Sequence, residues 1–426
     1  MATNISKTIK KCRVCGSKNI ISLLFLGRLH ISNFIDNKEG NHKIKKIGRQ
    51  PLELVMCNPD LKGCGLIQLK HTCSPELLYR NYWYRSGVNR SMTEALSDIA
   101  QKAEKIAKPR SGDYIIDIGS NDATLFCFYK TKNLNLVGFE PARNLMSYAK
   151  KNCPAGKYIN DFFSFKAWQK KFFGKKAKII TAIAMFYDLN NPNEFVSDIV
   201  KCLDKKGVFI IQMSYLPSML QQNAFDNICH EHLEYYSLTS LNNLLKRHGL
   251  EVFDAELNDI NGGSFRIYIQ YKGYRPINNR VHKLEKLEER LKLSSKKTYK
   301  IFASRIFALR KKINNFIKNE TRLGKRVYIY GASTKGNTLL QFFNLNKDLI
   351  KAAADRNLDK WGKKTVGTLI PIISEEQARK ERPDYFLILP WHFLKEFIQR
   401  EKDYLRSGGK FIVPLPQFKI ISKKDL

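Results

Sequence analysis

The sequence predicts an α/β protein: two doubly wound units, one large and one small, behind a small domain with paired cysteines. Three observations carry this. From residue 111, apolar strands alternate with helical stretches (DYIIDIGSND, NLVGFEP, KYIND, AKIITAIAMF, GVFIIQMSY) at the spacing of βαβ units. The pattern restarts at KRVYIYGASTKGN and runs through AAADRN, DYFLILPW and KFIVPLP, over a length that suits a small domain. Ahead of both lie Cys12 and Cys15, then Cys57 and Cys64.

Composition agrees. A chain of 426 residues is too long for one ordinary core, and at 43% hydrophobic residues it can bury several. The longest apolar runs, such as IISLLFL at 20–26, fall well short of the roughly 20 residues that span a bilayer. MATNISKTIKKC has no apolar stretch of signal-peptide length, and nine cysteines, an odd count, suit reduced thiols and metal ligands. A cytoplasmic protein is expected. The formal charge of +35 suits a polyanionic partner, but the lysine pairs are scattered from positions 10 and 45 to 363 with no dominant basic block. Lysine-rich surfaces account for that spread, and nucleic acid is not an expected partner.

The first element, residues 1–75, reads as a metal-binding domain. Cys12-Arg13-Val14-Cys15 and Cys57…Cys64 each have a turn-forming glycine nearby, Gly16 and Gly65, as in a zinc ribbon. The second pair is separated by six residues where two are usual. Four thiolates leave no open position, so this zinc would be structural. Cys73, Cys127, Cys153 and Cys202 lack partners and read as filling residues.

The second element, residues 76–275, holds the large α/β unit. Its first strand runs into Asp117-Ile118-Gly119-Ser120-Asn121-Asp122, with one glycine only, so a dinucleotide fingerprint is poorly matched. Glu140 ends the next strand 23 residues after Asp117, where an acid can accept both ribose hydroxyls. Together these look like the S-adenosylmethionine site of a class I methyltransferase, with Asp117 and Gly119 at the methionine part, Glu140 on the ribose, Asp161 and Phe162 near the adenine, and Asn121 also on the cofactor. The plainer reading is a strand-end Asp and Glu without ligand. LEVFDAELNDINGGSFRIYIQY reads as two strands joined at Gly262-Gly263. Residues 276–323 carry Val281, Leu284, Leu287 and Leu291, then Ile306, Leu309, Ile313 and Phe316, the spacing of amphipathic helices bridging two domains. Residues 324–426 form the second α/β unit; its GASTKGN turn opens a helix and suits an anion, with Lys335 adding charge.

The run FDNICHEHLEYYS at 225–237 admits three readings: a proton-transfer site, a metal site from Cys229, His230 and His232, or a structural polar loop.

Taken in order, the four-cysteine knuckle, DIGSND, FDNICHEHLEYYS, NGGSFR, GASTKGNTLL and DRNLDKWGKKTVGTLIPI resemble the sugar C-methyltransferases that act on nucleotide-linked 4-keto-hexoses, over nearly the whole chain. The resemblance implies a zinc-binding domain, a class I methyltransferase domain and a C-terminal Rossmann-like domain, with S-adenosylmethionine and structural zinc as cofactors. It implies a nucleotide-diphosphate sugar as substrate, one that feeds polysaccharide or glycosylated-metabolite pathways. It also places the acid/base group at Glu231 and His232 and the substrate loop at NYWYRSG with Tyr82 and Tyr84, and puts Tyr235, Ser333, Lys335 and Asn337 on the substrate. An imidazole, with its unperturbed pKa of roughly 6.5, suits removal of a proton beside a ketone.

Two positions depart from the family. Cys229 stands where a tyrosine is common, and Met185 where many relatives have a histidine, three residues before Asp188. The developing oxyanion then needs another donor, for which Tyr82, Tyr84, Tyr235 and Tyr236 are candidates. Methylation of a sugar oxygen on the same fold is the alternative; a basic RNA-binding protein on a methyltransferase scaffold is a further one.

Overall fold

In a computed structural model the protein is described over residues 6–35 and 47–426; the first five residues and the lysine pair at 45 lie outside this range. Ile- and Val-rich runs, apolar on both faces, build a central seven-stranded sheet. Its strands are Tyr114–Ile118 (β1), Asn135–Phe139 (β2), Lys157–Ile159 (β3), Ala177–Ile183 (β4), Leu203–Ser214 (β5), Leu250–Asn258 (β6) and Ser264–Tyr271 (β7). They lie in the order β3-β2-β1-β4-β5-β7-β6, with the first five parallel and the β6–β7 hairpin antiparallel at one edge. This is the arrangement of class I methyltransferases. Helix Arg90–Ala107 (α1) turns Leu96, Ile99, Ala100 and Ala103 to one face, and Trp168, Phe195 and Ile199 cover the other. The hairpin turns at Gly262 and Gly263, both at positive φ (83° and 106°), with Trp391 packed against the first.

Ahead of it, Ile20–Leu29, Gln50–Cys57 and Ile67–Leu69 form an antiparallel sheet that Glu234–Tyr235 joins as a fourth strand. Behind it stand two helices, Asn279–Leu291 (α2) and Lys296–Arg322 (α3). The C-terminal sheet comprises Val327–Tyr330 (β8), Ala353–Asp355 (β9), Ile372–Ser374 (β10), Tyr385–Ile388 (β11), Lys410–Val413 (β12) and Lys419–Ile421 (β13). Its order is β10-β9-β8-β11-β12-β13, parallel but for the last.

Two large cores follow. One joins Leu24, Leu26, Leu52 and Leu54 to Phe302, Ile306 and Ile313 of α3 and to the C-terminal sheet; the other joins Cys12, Val14, Cys57 and Leu66 to the central sheet. The N-terminal domain therefore touches both α/β units with different ends. No helix of the described residues is long and apolar enough to cross a membrane.

Candidate active site

Two matched turns build the cysteine cluster. Gly16 N–H donates to the Cys12 carbonyl (3.0 Å) and Gly65 N–H to that of Cys57 (3.1 Å), both glycines at positive φ. The long gap before Cys64 folds into a tight turn, Pro59–Leu61, capped by Asn58, which returns Cys64 to Cys57. All four Sγ atoms lie within 4.8 Å of one another, with Cys12–Cys64 at 3.6 Å and Cys15–Cys57 at 3.4 Å. Four soft donors converging at this spacing fit one tetrahedral zinc with no open position. Asn193 and Asn243 of the central domain hold the knuckle by bonds to the carbonyls of Arg13, Val14 and Cys64.

At the carboxyl end of β1 the chain turns at Gly119 (φ +69°) and Asn121 (φ +53°). Asp117 lies buried beneath this turn, accepting from Thr181 Oγ1 (2.6 Å), and burial pushes its carboxyl up to about 7. Glu140 directly follows β2: Oε2 accepts from Asn121 N (2.8 Å) and Oε1 from Ala142 N (2.8 Å). Burial raises its pKa, and the two N–H donors oppose that rise. Asn121 also ties down the NYWYRSG loop, accepting from Ser86 N (3.0 Å) and donating to the Tyr84 carbonyl (3.0 Å). Ser120 Oγ is buried against Gly138 of β2 without a hydrogen-bond partner. The set fits the methionine and ribose ends of S-adenosylmethionine. Phe162 lines the same cavity, but Asp161 does not: Arg80 pairs with it at 2.9 Å near the surface.

One cavity of about 460 Å³ joins this turn to the other expected groups, Tyr82, Tyr84, Glu231, His232, Ser333 and Lys335. Within the FDNICHEHLEYYS run, His232 Nδ1 lies 2.8 Å from the Asn227 carbonyl oxygen. A carbonyl only accepts, so Nδ1 carries the proton and Nε2 keeps its lone pair. The Tyr187 ring packs 4.3 Å from the imidazole. Burial, with the Lys335 ammonium, holds the His232 pKa well below the ordinary value, so the ring is neutral near pH 7. Burial pushes Glu231 the other way, up to about 7, with Lys335 opposing the rise. Asp188 is also held well above the usual carboxylate range, by burial and by Glu231.

His230 turns away, with Nε2 3.2 Å from the Gln50 carbonyl. Cys229 is buried outside the cavity, its Sγ 3.9 Å from Glu231 Oε2. Cys229, His230 and His232 thus do not converge on one ion; among the described residues the four-cysteine cluster is the only such group. Tyr235 supports the run from behind, donating to the carbonyls of His232 (3.1 Å) and Asn227 (3.3 Å), and does not line the cavity. Met185 packs on Gly119.

The opposite wall is the β8 turn. Ser333 caps helix Thr334–Phe342 (α4) by accepting from Gly336 N (2.9 Å), while Asp355 accepts from Ala332 N (2.9 Å) and from Lys360 Nζ (3.1 Å). Lys335 turns inward to donate to Asn227 Oδ1 (2.7 Å). Asn337 is fully buried and donates to the Asn33 carbonyl (3.2 Å), off the cavity. Sequence reasoning missed Tyr79, whose hydroxyl donates to the Glu231 carbonyl (2.7 Å), as well as Tyr187, Asn227 and His392. Tyr79 lies only three residues before Tyr82, and that aromatic cluster was the available signal.

Three family models match the chain in sequence: a zinc binding domain over residues 12–79, a methyltransferase domain over 84–255 and a C-methyltransferase C-terminal domain over 259–416. The C-methyltransferase NovU of Streptomyces niveus is 29% identical over 430 residues, covering 99% of this chain and 99% of NovU. Among solved structures, the plantazolicin methyltransferase BpumL in complex with SAH is 12% identical with TM-score 0.34, covering 41% of this chain and 81% of its own. A S-adenosylmethionine-dependent methyltransferase from Clostridium acetobutylicum ATCC 824 is also 12% identical with TM-score 0.34, covering 42% and 92%.

Proposed function

We propose that the chain is an S-adenosylmethionine-dependent C-methyltransferase, and that it methylates a carbon beside the ketone of a nucleotide-diphosphate-linked keto-sugar in the cytoplasm. The observation that carries this is the tautomer of His232: Nδ1–H is committed to Asn227, which leaves a neutral imidazole with a free lone pair in a cavity walled by both α/β units. Such a group can take a proton from carbon; a positioned general base is typically worth on the order of 10² to 10⁴ in rate. Glu231, in the same cavity, steadies the imidazolium that forms.

When bound, S-adenosylmethionine supplies an electrophilic methyl group, and Asp117, Gly119, Asn121, Glu140 and Phe162 would hold it. The working partition is 1–75 for zinc, 76–275 for methyl donor and base, 276–323 as bridge and 324–426 for the sugar nucleotide. Ser333 and the opening of α4 suit its diphosphate. Methylation of a sugar oxygen is the second reading. It is favoured by Met185, which brings no donor to the cavity, and by Cys229, which lies outside it.

A mass-spectrometric screen of nucleotide-linked 4-keto-sugars with S-adenosylmethionine should show a gain of one methylene. With S-adenosylhomocysteine in D₂O instead, the hydrogen beside the ketone should exchange, and His232→Asn should abolish exchange and turnover while leaving cofactor affinity near wild type. A product that forms without exchange and loses its methyl under ether cleavage would move the protein to the oxygen-methylating reading. Near-normal turnover in His232→Asn would reduce the 225–237 run to architecture.

A further inference from the structure

Carbanion formation leaves a negative charge on the sugar carbonyl oxygen, and neither position where the family carries a donor supplies one here: Cys229 is buried outside the cavity and Met185 has no donor to give. We infer that Lys335 meets this charge: its ammonium, anchored on Asn227 beside His232, hydrogen-bonds the carbonyl oxygen as it becomes an enolate. The inference rests on the carbon-methylating reading above and reassigns Lys335 from the diphosphate to the reacting centre.

The geometry is specific. Asn227 holds both partners, its side-chain oxygen accepting from Lys335 Nζ at 2.7 Å and its main-chain oxygen accepting from His232 Nδ1 at 2.8 Å. Ammonium and imidazole are thereby fixed to one residue, though they come from different α/β units. An ammonium has three donors, and Asn227 takes one. Among the described residues no carboxylate forms an ion pair with Lys335. Its charge reaches Glu231, His232, Asp188 and Asp226, favouring the ionised carboxylates and the neutral imidazole, as a cation aimed at the centre of the cavity does. The cation nearer the turn at Ala332 is instead Lys360, which bonds the Ala332 carbonyl and Asp355.

The step balances within the site. The C–H bond beside the carbonyl breaks and its proton passes to His232 Nε2. The electron pair forms the C=C bond, and the carbonyl π pair moves to oxygen, where the free N–H groups of Lys335 receive it. Neutral imidazole next to an ammonium is the form ready to accept a proton, and Glu231 offsets the second positive charge once it has done so.

The test is the D₂O exchange of the nucleotide-linked 4-keto-sugar selected by the screen, with S-adenosylhomocysteine bound to the full-length protein. Lys335→Gln keeps a donor for Asn227 and removes the charge; it should lower the exchange rate at saturating sugar by roughly 10²- to 10³-fold, the range for losing one oxyanion donor. The dissociation constant for the sugar should stay within about threefold of wild type, and ethylammonium should restore part of the rate to Lys335→Ala, which a packing role would not allow. Exchange by Lys335→Gln at the wild-type rate with weakened sugar binding overturns the assignment and returns Lys335 to the phosphates. So does loss of exchange in Tyr82→Phe with none in Lys335→Gln. A wild-type enzyme that methylates without any exchange fails the carbon-methylating reading itself, and this inference with it.

Discussion

The central and C-terminal units share a short grammar: an apolar strand, a glycine at positive φ, and a second strand that ends in an acid. Gly119 and Glu140 hold those places in one, Gly331 and Asp355 in the other, and each acid accepts an N–H from the preceding turn, Asn121 at 2.8 Å and Ala332 at 2.9 Å. What differs is the rest of the acid's surroundings. Asp355 is neutralised by Lys360 at 3.1 Å, while Glu140, among the described residues, has no cationic partner. A buried carboxylate held only by backbone N–H groups keeps lone pairs for a ligand's hydroxyls; one paired with lysine has used its charge internally. On the function proposed above, the same local pattern would serve as a ribose acceptor in one unit and as a stiffened turn in the other, where backbone amides are left for an anion.

The largest expected effect sharpens the contrast through the metal. Cys12, Val14, Cys57 and Leu66 share a core with the central sheet, whereas the C-terminal sheet shares its core with the other end of the N-terminal domain. Structural zinc in small peptides is worth roughly 10–16 kcal/mol, comparable to the whole stability of a domain. Freshly purified protein should carry close to one zinc per chain, and Cys57→Ser should lose it. Hydrogen exchange should then show β1 and β4 opening before β8 and β11. Simultaneous loss in both sheets would mean the units are not separately supported.

The central acids predict a pH dependence. Asp117 has its folded pKa raised from 3.8 to about 7 by burial. Between those values the folded state keeps a proton that the unfolded chain has released, so stability is fullest below the unfolded pKa and falls as pH rises through about 7. Asp117→Asn preserves the acceptor for Thr181 and should remove this slope, stabilising the protein above pH 7 by on the order of 4 kcal/mol. Melting curves from pH 5 to 8 that run parallel for the two proteins would contradict it. Next in size, Glu140→Ala should weaken S-adenosylmethionine by about 1.5–3 kcal/mol, the range for losing a charged acceptor. Asp355→Asn should leave that affinity unchanged. Calorimetry in which both or neither variant loses affinity would erase the distinction drawn between the two acids.

The parts of this site visible in the sequence are those that neighbours in the chain must build. A glycine turn after a strand, and an acid at the end of the next, read directly from DIGSND, GFEP and YGAS. So do four cysteines with glycines beside them, even though Pro59–Leu61 needed an extra turn to close the set. Contacts that depend on a distant partner were not visible. Asp161 is taken by Arg80, 81 residues earlier, and Asn337 by the main chain of Asn33. Lys335 reads as a phosphate ligand from its place at a helix opening, and only the tertiary fold shows that its side chain turns toward Asn227, 108 residues away. Side-chain direction there is fixed by what the two units press together, which spacing along the chain does not encode.

The smallest expected effect compares the two glycines themselves. Both lie at positive φ, 69° for Gly119 and 85° for Gly331, so alanine at either carries a backbone cost of about 1 kcal/mol. The neighbours differ. A Cβ at Gly119 would sit 3.1 Å from Met185 Cγ, the middle of a flexible side chain that can rotate away. At Gly331 it would sit 2.5 Å from Cγ and 2.8 Å from Cδ of Pro390, a ring tied to its own backbone that can retreat only if the chain after β11 moves. Gly331→Ala should therefore destabilise the protein by about 1–2 kcal/mol more than Gly119→Ala in urea titrations, within the usual range for overpacking. The functional effect should run the other way. A shifted Met185 stands over the Gly119 turn proposed to hold the methyl donor, so Gly119→Ala should weaken S-adenosylmethionine despite its milder cost in stability, while Gly331→Ala should leave cofactor affinity intact in whatever fraction remains folded. Equal destabilisation by the two substitutions would show that Pro390 yields as readily as Met185, and that the C-terminal turn is no stiffer than the central one.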